Sequence, residues 1–276
     1  KEDLTKLGFS SSKISSRKTN SNIVNSKGKT YEVHGLSQSI QASRKVYRYF
    51  KELCEIKGEK VLKKSKIPEW LFNGSDEEKC EFLGAFFGSD GNIISINKYA
   101  KTDFNPIRIS FNKIEELEDN AFEFANEIKR LLNSIGIEVS RILKRDGNIR
   151  KDGKKTIRIV ITISKKVGNV ISFLEKVGYR YCERKEIDGN KWLNYLKHRI
   201  YLKKNVEELR IKSLELHKKG LGKTKIGRIL GIESYRVREW IYKNHKTGLP
   251  KNLPNFNDWI DKRYKDKIIY EKILNK

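Results

Sequence analysis

Alternating and helically spaced apolar residues divide the middle of this 276-residue chain into strands and helices. Apolar positions at roughly helical spacing predict a long helix over 114–134, which Gly136 ends. A further helix is predicted over 167–177. The predicted strands, which show alternation and are bounded by turn residues, are 92–100, 106–112, 138–144 and 156–164. With a helix that ends near residue 90, the predicted order is α-β-β-α-β-β-α.

Residues 83–91 of that first helix read Leu-Gly-Ala-Phe-Phe-Gly-Ser-Asp-Gly. Ser75 is placed to cap the helix, with Glu78 as its partner in a capping box. The small residues predict that two helix backbones approach closely here. Asp90 brings a carboxylate to the helix end, and Gly91 allows a sharp turn after it. A helix that ends in this way can hold a divalent cation; the alternative is an ordinary helix that ends at an Asp-Gly turn.

The N-terminal segment repeats the second half of this pattern. Lys29-Thr30-Tyr31-Glu32-Val33 aligns with Lys155-Thr156-Ile157-Arg158-Ile159, and the helix predicted over 42–54 follows as the helix over 167–177 does. Residues 1–64 are therefore predicted to be the second half of a first repeat. The alternative is that the likeness is coincidental, because any two segments with a hairpin followed by a helix show similar sequence patterns.

Composition adds a strong charge preference. The chain has 60 Lys and Arg against 35 Asp and Glu, a net charge of +25, which predicts a polyanionic partner. Proteins from thermophilic or AT-rich genomes are enriched in Lys and Glu together, whereas in this chain only the basic residues are in excess. The three cysteines are too far apart in the sequence to suggest a pair, which argues against a zinc ribbon and against a disulfide scaffold. No signal peptide or run of 18 apolar residues is found, so we expect an intracellular protein of the cytoplasm or nucleoid. The absence of Met suggests a processed or excised piece.

Three short helices are predicted near the C-terminus, over 207–219, 223–230 and 234–242. Gly227 stands where the first helix of a helix-turn-helix needs a small residue, and Gly231 is placed to make the turn. Ser234 is predicted to cap the last helix. The segment resembles a helix-turn-helix; the alternative is a helical hairpin with a structural role only.

Taken together, residues 83–91, the apparent repeat and the linker Ile67-Pro68-Glu69-Trp70 resemble the LAGLIDADG family of homing endonucleases. The resemblance implies an α+β fold in which αββαββα repeats form a saddle, followed by an all-α module. Gly88 departs from the family pattern, which often has an acid there. The implied domains are a partial first repeat at 1–64, a complete second repeat at 65–187, a connecting helix at 188–205, the helix-turn-helix at 206–247 and a tail at 248–276, which is similar to segments leading into an intein splicing domain.

The resemblance implies a site for Mg²⁺ at Asp90 and Gly91. It also implies that Lys185 and Lys60 stabilise negative charge near a phosphate and that Asn112 positions water. The alternative for each lysine is a solvated or phosphate-steering charge without a catalytic role. The alternative for Asn112 is a residue that forms a turn at the strand end.

The implied partner is double-stranded DNA with a long specific site. Polar residues on one face of the strands and in the helix-turn-helix are the predicted contacts. They are Asn92, Ser95, Asn97, Arg108, Ser110, Arg141, Lys144, Arg158, Thr162, Lys223, Lys225, Ser234, Tyr235, Arg236 and Arg238. The sequence does not determine which alternate set of strand residues faces the partner.

The resulting hypothesis is a Mg²⁺-dependent endonuclease from an intein or intron. It would be a monomer if a first motif lies upstream, and otherwise a dimer. The alternatives are a non-catalytic DNA-binding regulator or an RNA-splicing maturase of the same fold, and a helix-turn-helix transcription factor with an unrelated effector domain.

Overall fold

A computed structural model describes residues 2–10, 12–24, 28–39, 41, 43–54, 59–243 and 253–265. The chain forms two compact units. The first comprises Lys1–Asn92 and Pro106–Glu183, and the second comprises Ile93–Asn105 and Arg184–Lys276. Each unit is described separately below.

The first unit is built on a three-stranded antiparallel sheet. Its strands are β5 (Arg108–Ile114), β6 (Val139–Ile149) and β7 (Lys155–Ile163), in the order β5-β7-β6. Isoleucines alternate along the central strand β7, and Ile157, Ile159 and Ile161 are buried. The sequence prediction of a hairpin over 138–164 is confirmed, and the observed β6 is longer than predicted.

Two helices follow the strands of this sheet. A 3-10 turn, Glu115–Leu117, leads into α5 (Glu118–Ser134), and α6 (Val167–Lys176) follows β7. Aromatic side chains join the sheet and α5 in one core. Phe111 of β5 meets Phe124 of α5 with ring centroids 5.2 Å apart. Helices were predicted over 114–134 and 167–177, and both are confirmed, although α5 begins four residues later than predicted.

Before the sheet come α3 (Glu69–Asn73) and α4 (Asp76–Asp90). Ser75 accepts a hydrogen bond from the Glu78 backbone N–H, and the Glu78 carboxylate accepts one from the Ser75 N–H, as the capping box predicted. The bond from the Ser75 N–H, with a second one from the Ser75 hydroxyl to the same carboxylate, lowers the pKa of Glu78. The start and end of α4 are therefore as predicted.

The predicted strand over 92–100 is wrong. Gly91 forms a bridge with Ile109 of β5, and the Asn92 N–H donates to the Arg108 carbonyl at 2.9 Å. The Asn92 side chain then accepts a hydrogen bond from the Arg108 backbone N–H. The Arg108 N–H is therefore not available to the backbone of a paired strand, and the pairing with β5 ends at this point. The chain continues in the second unit as a separate hairpin, β3 (Ile96–Asn97) with β4 (Ala100–Phe104). In the described ranges the fold is α+β, but the predicted four-stranded saddle is not seen.

The N-terminal part contains α1 (Glu2–Lys6), the hairpin of β1 (Ser15–Val24) and β2 (Thr30–Ser39), and α2 (Arg44–Cys54). Ten residue pairs join the two strands, from Ser15 with Ser39 to Val24 with Thr30. A hairpin followed by a helix was predicted here. Whether it belongs to a repeat stays a prediction, as do the domain boundaries.

The second unit is mainly helical. It contains α7 (Glu183–Lys218), α8 (Lys223–Leu230), α9 (Ser234–Tyr242) and α10 (Phe256–Lys265). The last two predicted helices of the helix-turn-helix match α8 and α9. The predicted break between a connecting helix over 188–205 and a helix over 207–219 is wrong. The helix α7 is continuous, and neither Gly nor Pro occurs between residues 190 and 218.

An aromatic cluster holds α10 against α7. Trp192 stacks on Phe256 with ring centroids 3.9 Å apart, and the Tyr195 hydroxyl donates to the Pro254 carbonyl at 2.9 Å. Most of the predicted tail, outside 253–265, lies outside the described residues. Within the described ranges, no helix combines the length and the apolar composition needed to cross a bilayer.

Candidate nucleic-acid interface

One face of the three-stranded sheet is rich in arginine. Cross-strand partners in a sheet lie on the same face, so the register defines this surface. Its rows are Arg108–Thr162–Arg141, Ser110–Val160–Leu143 and Asn112–Arg158–Arg145. With strands about 4.8 Å apart and alternate residues about 6.7 Å apart along each strand, the arginines frame a patch roughly 10 Å by 13 Å. No carboxylate stands in these rows, and we call them the arginine face.

The register corrects one predicted contact and adds another. Lys144 lies on the opposite face, in the row of Phe111 and Ile159, and forms an ion pair with Glu118 at 2.5 Å that raises the pKa of the lysine. Arg145, the next residue, takes its place on the arginine face. The sequence could not choose between them, because the bulge between Val139 and Arg141 shifts the alternation of β6.

Polar groups within the arginine face are only partly satisfied by the protein. The Arg158 guanidinium donates to the Asn112 side-chain oxygen at 3.3 Å, which orients that arginine. Thr162 is 3% exposed, and its hydroxyl has no hydrogen-bond partner among the described residues. A buried hydroxyl without a partner costs free energy, so a ligand oxygen at this place would be favourable.

Three other predicted contacts have structural hydrogen bonds. Besides its bond from Arg108, Asn92 donates from its side chain to the Pro106 carbonyl at 3.4 Å. In the second unit, Ser95 accepts a hydrogen bond from the Asn105 side chain, and Asn97 accepts one from the Tyr99 N–H in the turn between β3 and β4. These hydrogen bonds stabilise the local backbone, so the presence of the three polar residues is explained without a bound ligand.

Asp90 lies at the end of α4 with its carboxylate against an ammonium group. The Lys60 Nζ is 2.5 Å from Asp90 Oδ2, and both side chains are partly exposed. The same ammonium lies 5.7 Å from the centre of the Phe86 ring. Two residues that were predicted separately are thus brought together. Gly91 is buried and its N–H donates to the Phe87 carbonyl, so its predicted role as a metal ligand stays a prediction.

The small residues of α4 pack against a turn. A methyl group added at Gly88 would fall on the Arg180 carbonyl oxygen, and one added at Gly84 would lie 2.6 Å from the Val177 carbonyl oxygen. The Arg180 N–H donates to the Gly84 carbonyl at 3.0 Å. In the described ranges, the close contact predicted between two helices is therefore a contact between a helix and the 177–180 turn. This close approach also explains why glycine stands at position 88.

Lys113 is a buried residue that the predictions missed. It is 1% exposed on the helix-covered face of β5, and its Nζ donates to the Lys60 carbonyl at 2.5 Å, the Ser65 hydroxyl at 2.6 Å and the Lys63 carbonyl. A lysine in sequence normally indicates an exposed position. Its place after Ile109 and Phe111 in the alternation of β5 was the signal that could have identified it.

Burial and the nearby charge of Lys60 lower the pKa of Lys113 to about 8 from 10.5. The folded state then releases this proton at lower pH than the unfolded state does, so the free energy of unfolding should rise between about pH 8 and 10.5. We expect this rise in urea titrations of the wild type and a smaller rise in Lys113→Met. Parallel curves for the two proteins would contradict the lowered pKa.

A cleft of about 1800 Å³ lies beside this region, between α4, α5 and the segment 60–68. Its wall includes Phe82, Phe86 and Phe124, and Trp70 is 43% exposed at its edge. Lysines of the segment 60–66 and glutamates of α4 and α5 also line the cleft. The cleft is part of the first unit and adjoins the Lys60–Asp90 pair.

In the second unit, α8 and α9 form a compact helical pair. Gly231 has φ +66°, as the predicted turn requires, and a methyl group at Gly227 would lie 2.7 Å from the Ile232 carbonyl oxygen. Ser234 is the first residue of α9, and Glu233 occupies the cap position without a side-chain bond, so the predicted cap is wrong. The features predicted for Gly227 and Gly231 are confirmed.

The predicted contact residues of this pair are mostly exposed. Lys223, Lys225 and Arg238 are exposed, and Tyr235 is 59% exposed. Arg236 is half-buried, with its guanidinium carbon 6.0 Å from the centre of the Trp240 ring. Elsewhere in this unit, Lys185 is half-buried near the start of α7, where its predicted role stays a prediction.

Comparison with known proteins gives relatives named for nucleic-acid metabolism. The chain is 29% identical over 274 residues to a protein of Methanocaldococcus jannaschii named tRNA-splicing ligase RtcB, covering 95% of this chain and 27% of that protein. A Pyrococcus furiosus protein of the same name is 28% identical over 284 residues, with 99% and 27% covered. The DNA-directed RNA polymerase subunit Rpo1N of M. jannaschii is 32% identical over 216 residues, with 78% and 15% covered. No family model matches the chain.

These names overturn the sequence-based assignment. Two of the three relatives are named as tRNA-splicing ligases, which are enzymes, and none of the three bears the name of a LAGLIDADG protein or homing endonuclease. The predicted homing endonuclease of an intein or intron, its long DNA target and the alternatives of a DNA-binding regulator or a maturase are therefore wrong. The chain spans about a quarter of the length of its ligase relatives.

Proposed function

We propose that this chain is an RNA-binding segment of a larger protein and that the arginine face contacts the phosphates of structured RNA. The observation that carries the proposal is the set of four arginines, Arg108, Arg141, Arg145 and Arg158, on a sheet face without carboxylates. Guanidinium groups bind phosphate oxygens through paired N–H donors. The net charge of +25 favours the same class of partner.

The names of the relatives favour RNA of the tRNA class as the substrate. Since the chain covers 27% of the M. jannaschii ligase and 15% of the polymerase subunit, the shared part is smaller than either protein. We infer that this part has a binding role of its own and that the ligase activity named for the relatives belongs to the larger protein. The exposed residues of α8 and α9 would supply a second basic surface for the same partner.

The experiment that tests this proposal is a competition assay. Fluorescently labelled tRNA is bound to the chain at fixed salt and displaced with unlabelled tRNA or with a DNA duplex of equal phosphate content. The proposal predicts that tRNA displaces the probe at a concentration at least about ten times lower than DNA, a difference of about 1.4 kcal/mol. Equal competition would mean that only charge is recognised, and stronger competition by DNA would overturn the choice of RNA.

Mg²⁺ at Asp90 remains a proposal. The described ranges contain no group of three or more His, Cys, Asp or Glu side chains that could enclose a metal. Mg²⁺ is often held by one or two carboxylates with water and phosphate oxygens, so Asp90 fits the ion only as one ligand among those of a bound nucleic acid. The ion would also have to displace the Lys60 ammonium from Asp90.

We expect Asp90→Asn to reduce the increase in tRNA affinity that millimolar Mg²⁺ produces, because the variant loses an anionic ligand. Affinity in EDTA should be unchanged or slightly higher. Asp76→Asn, at the other end of α4, is the matched control, and the effect of Mg²⁺ on the RNA itself is common to both proteins. The same Mg²⁺ dependence in Asp90→Asn and Asp76→Asn would remove Asp90 from ion binding.

A further inference from the structure

The segment 59–68 has no regular helix or strand, yet several side chains fix it to the first unit. Lys113 binds it at three atoms, as described above. Asn120 of α5 adds two bonds to Ser65: its side-chain oxygen accepts from the Ser65 N–H at 2.8 Å and its amide donates to the Ser65 carbonyl at 3.1 Å. The Ile67 N–H donates to the Glu127 carboxylate at 2.8 Å.

Lys113 is the only one of these three side chains that reaches the backbone of Lys60 in the described ranges. Its bond to the Lys60 carbonyl lies at the point where that residue sends its own side chain to Asp90. Nearby, the Ile114 N–H donates to the Val61 carbonyl at 3.2 Å. A long lysine side chain loses considerable conformational entropy when one geometry is imposed on it, so a fixed backbone is needed to favour the ion pair.

We propose that Lys113 is a positioning residue: by holding the carbonyls of Lys60 and Lys63 and the hydroxyl of Ser65, it places the Lys60 ammonium against Asp90. The three protons of its ammonium match the three acceptors, and no water is required to satisfy them. Because Lys113 is buried, it acts on Lys60 through the backbone and does not itself reach a ligand. The inference deepens the proposed function by naming what orients the cation and carboxylate next to the proposed ion site.

Acylation of individual lysines by an amine-reactive ester at pH 7, followed by mass spectrometry, tests this placement without any RNA. The nitrogen attacks the ester only after it has lost a proton, so an ammonium that donates that proton in a hydrogen bond to a carboxylate reacts slowly. Lys151, exposed in the turn after β6, is the internal standard, and Asp90→Ala gives the rate of a released Lys60. The variants are Lys113→Met and, as a matched control on the same segment, Asn120→Ala.

We expect Lys60 in the wild type to react several-fold more slowly than in Asp90→Ala. Lys113→Met should raise the Lys60 rate most of the way to that of Asp90→Ala, and Asn120→Ala should leave it near the wild-type value. Circular dichroism checks folding, and Lys113→Gln, which keeps an N–H donor on a shorter chain, replaces Lys113→Met if that variant does not fold.

Two results would overturn the inference: a Lys60 rate at the wild-type value in a folded Lys113 variant, or equal increases in the Lys113 and Asn120 variants. The second would mean that any loosening of the segment releases Lys60. Neither result bears on RNA binding, which the competition assay measures separately. Failure of this inference and failure of the proposed function are therefore distinguishable.

Discussion

Replacing the four arginines of the arginine face by glutamine should weaken tRNA binding about 1,000-fold, because four phosphate contacts at roughly 1 kcal/mol each are lost. The substitutions are Arg108→Gln, Arg141→Gln, Arg145→Gln and Arg158→Gln. The salt dependence should also change. Each lost contact lowers the slope of log affinity against log salt by about 0.7 to 0.9, so the slope should fall by about 3 in total. Fluorescence anisotropy between 50 and 200 mM salt would measure both quantities.

The matched control removes the same charge from another exposed surface. Helix α2 carries Arg44, Lys45, Arg48 and Lys51, all of them exposed. Their replacement by glutamine lowers the net charge equally, so any effect of overall charge is common to both variants. Equal losses of affinity in the two variants would mean that the arginine face has no special part in binding.

Gly88→Ala should be strongly destabilising. The added methyl group would fall on the Arg180 carbonyl oxygen, a backbone atom that cannot move without shifting the turn after α6. Overpacking of this kind costs typically 1–3 kcal/mol and occasionally more, and we expect about 3 kcal/mol here. Thermal unfolding should then occur about 10 °C below the wild type, at roughly 2–4 °C for each kcal/mol.

Gly168→Ala is the matched control, because it is the same substitution in a helix of the same unit. A methyl group at Gly168 would meet no atom of the described residues within 4 Å. Since alanine is the better helix former, this variant should be as stable as the wild type or slightly more stable. If Gly88→Ala unfolded at the same temperature as Gly168→Ala, the close contact between α4 and Arg180 would be refuted.

Much of the local structure could be predicted from the sequence. Ser75 and Glu78 carry the side chains of a capping box, and the observed bonds are between those groups. The spacing of apolar residues identified α5, and the glycines at 227 and 231 identified the turn between α8 and α9. In each case the determining interactions are among residues close together in the chain.

The errors involved partners that are distant in sequence. Alternation over 92–100 predicted a strand, but the Asn92 side chain takes the Arg108 N–H that a paired strand would need. The glycines of α4 predicted a close contact correctly, although the sequence could not identify Arg180 as the neighbour. A run of small residues indicates that another part of the chain packs closely against the helix, but it does not identify that part.

Two lysines illustrate the same limit within the candidate site. Lys144 and Lys113 have the same side chain, but the first is paired with Glu118 at the surface and the second is buried under the 60–65 segment. The bulge in β6 placed Arg145 on the arginine face. Strand alternation could be read for β5, where Ile109, Phe111 and Lys113 are all buried, but not for β6, where the bulge changes the register.

The most direct test of the central claim is photo-crosslinking of tRNA that contains 4-thiouridine, followed by mass spectrometry of the cross-linked peptides. If the arginine face binds RNA, cross-links should concentrate on peptides that contain Ser110, Leu143 and Val160, whose side chains lie between the arginines. An excess of unlabelled tRNA should remove them. Cross-links confined to other surfaces at saturating RNA, or none on the three strands, would contradict the account.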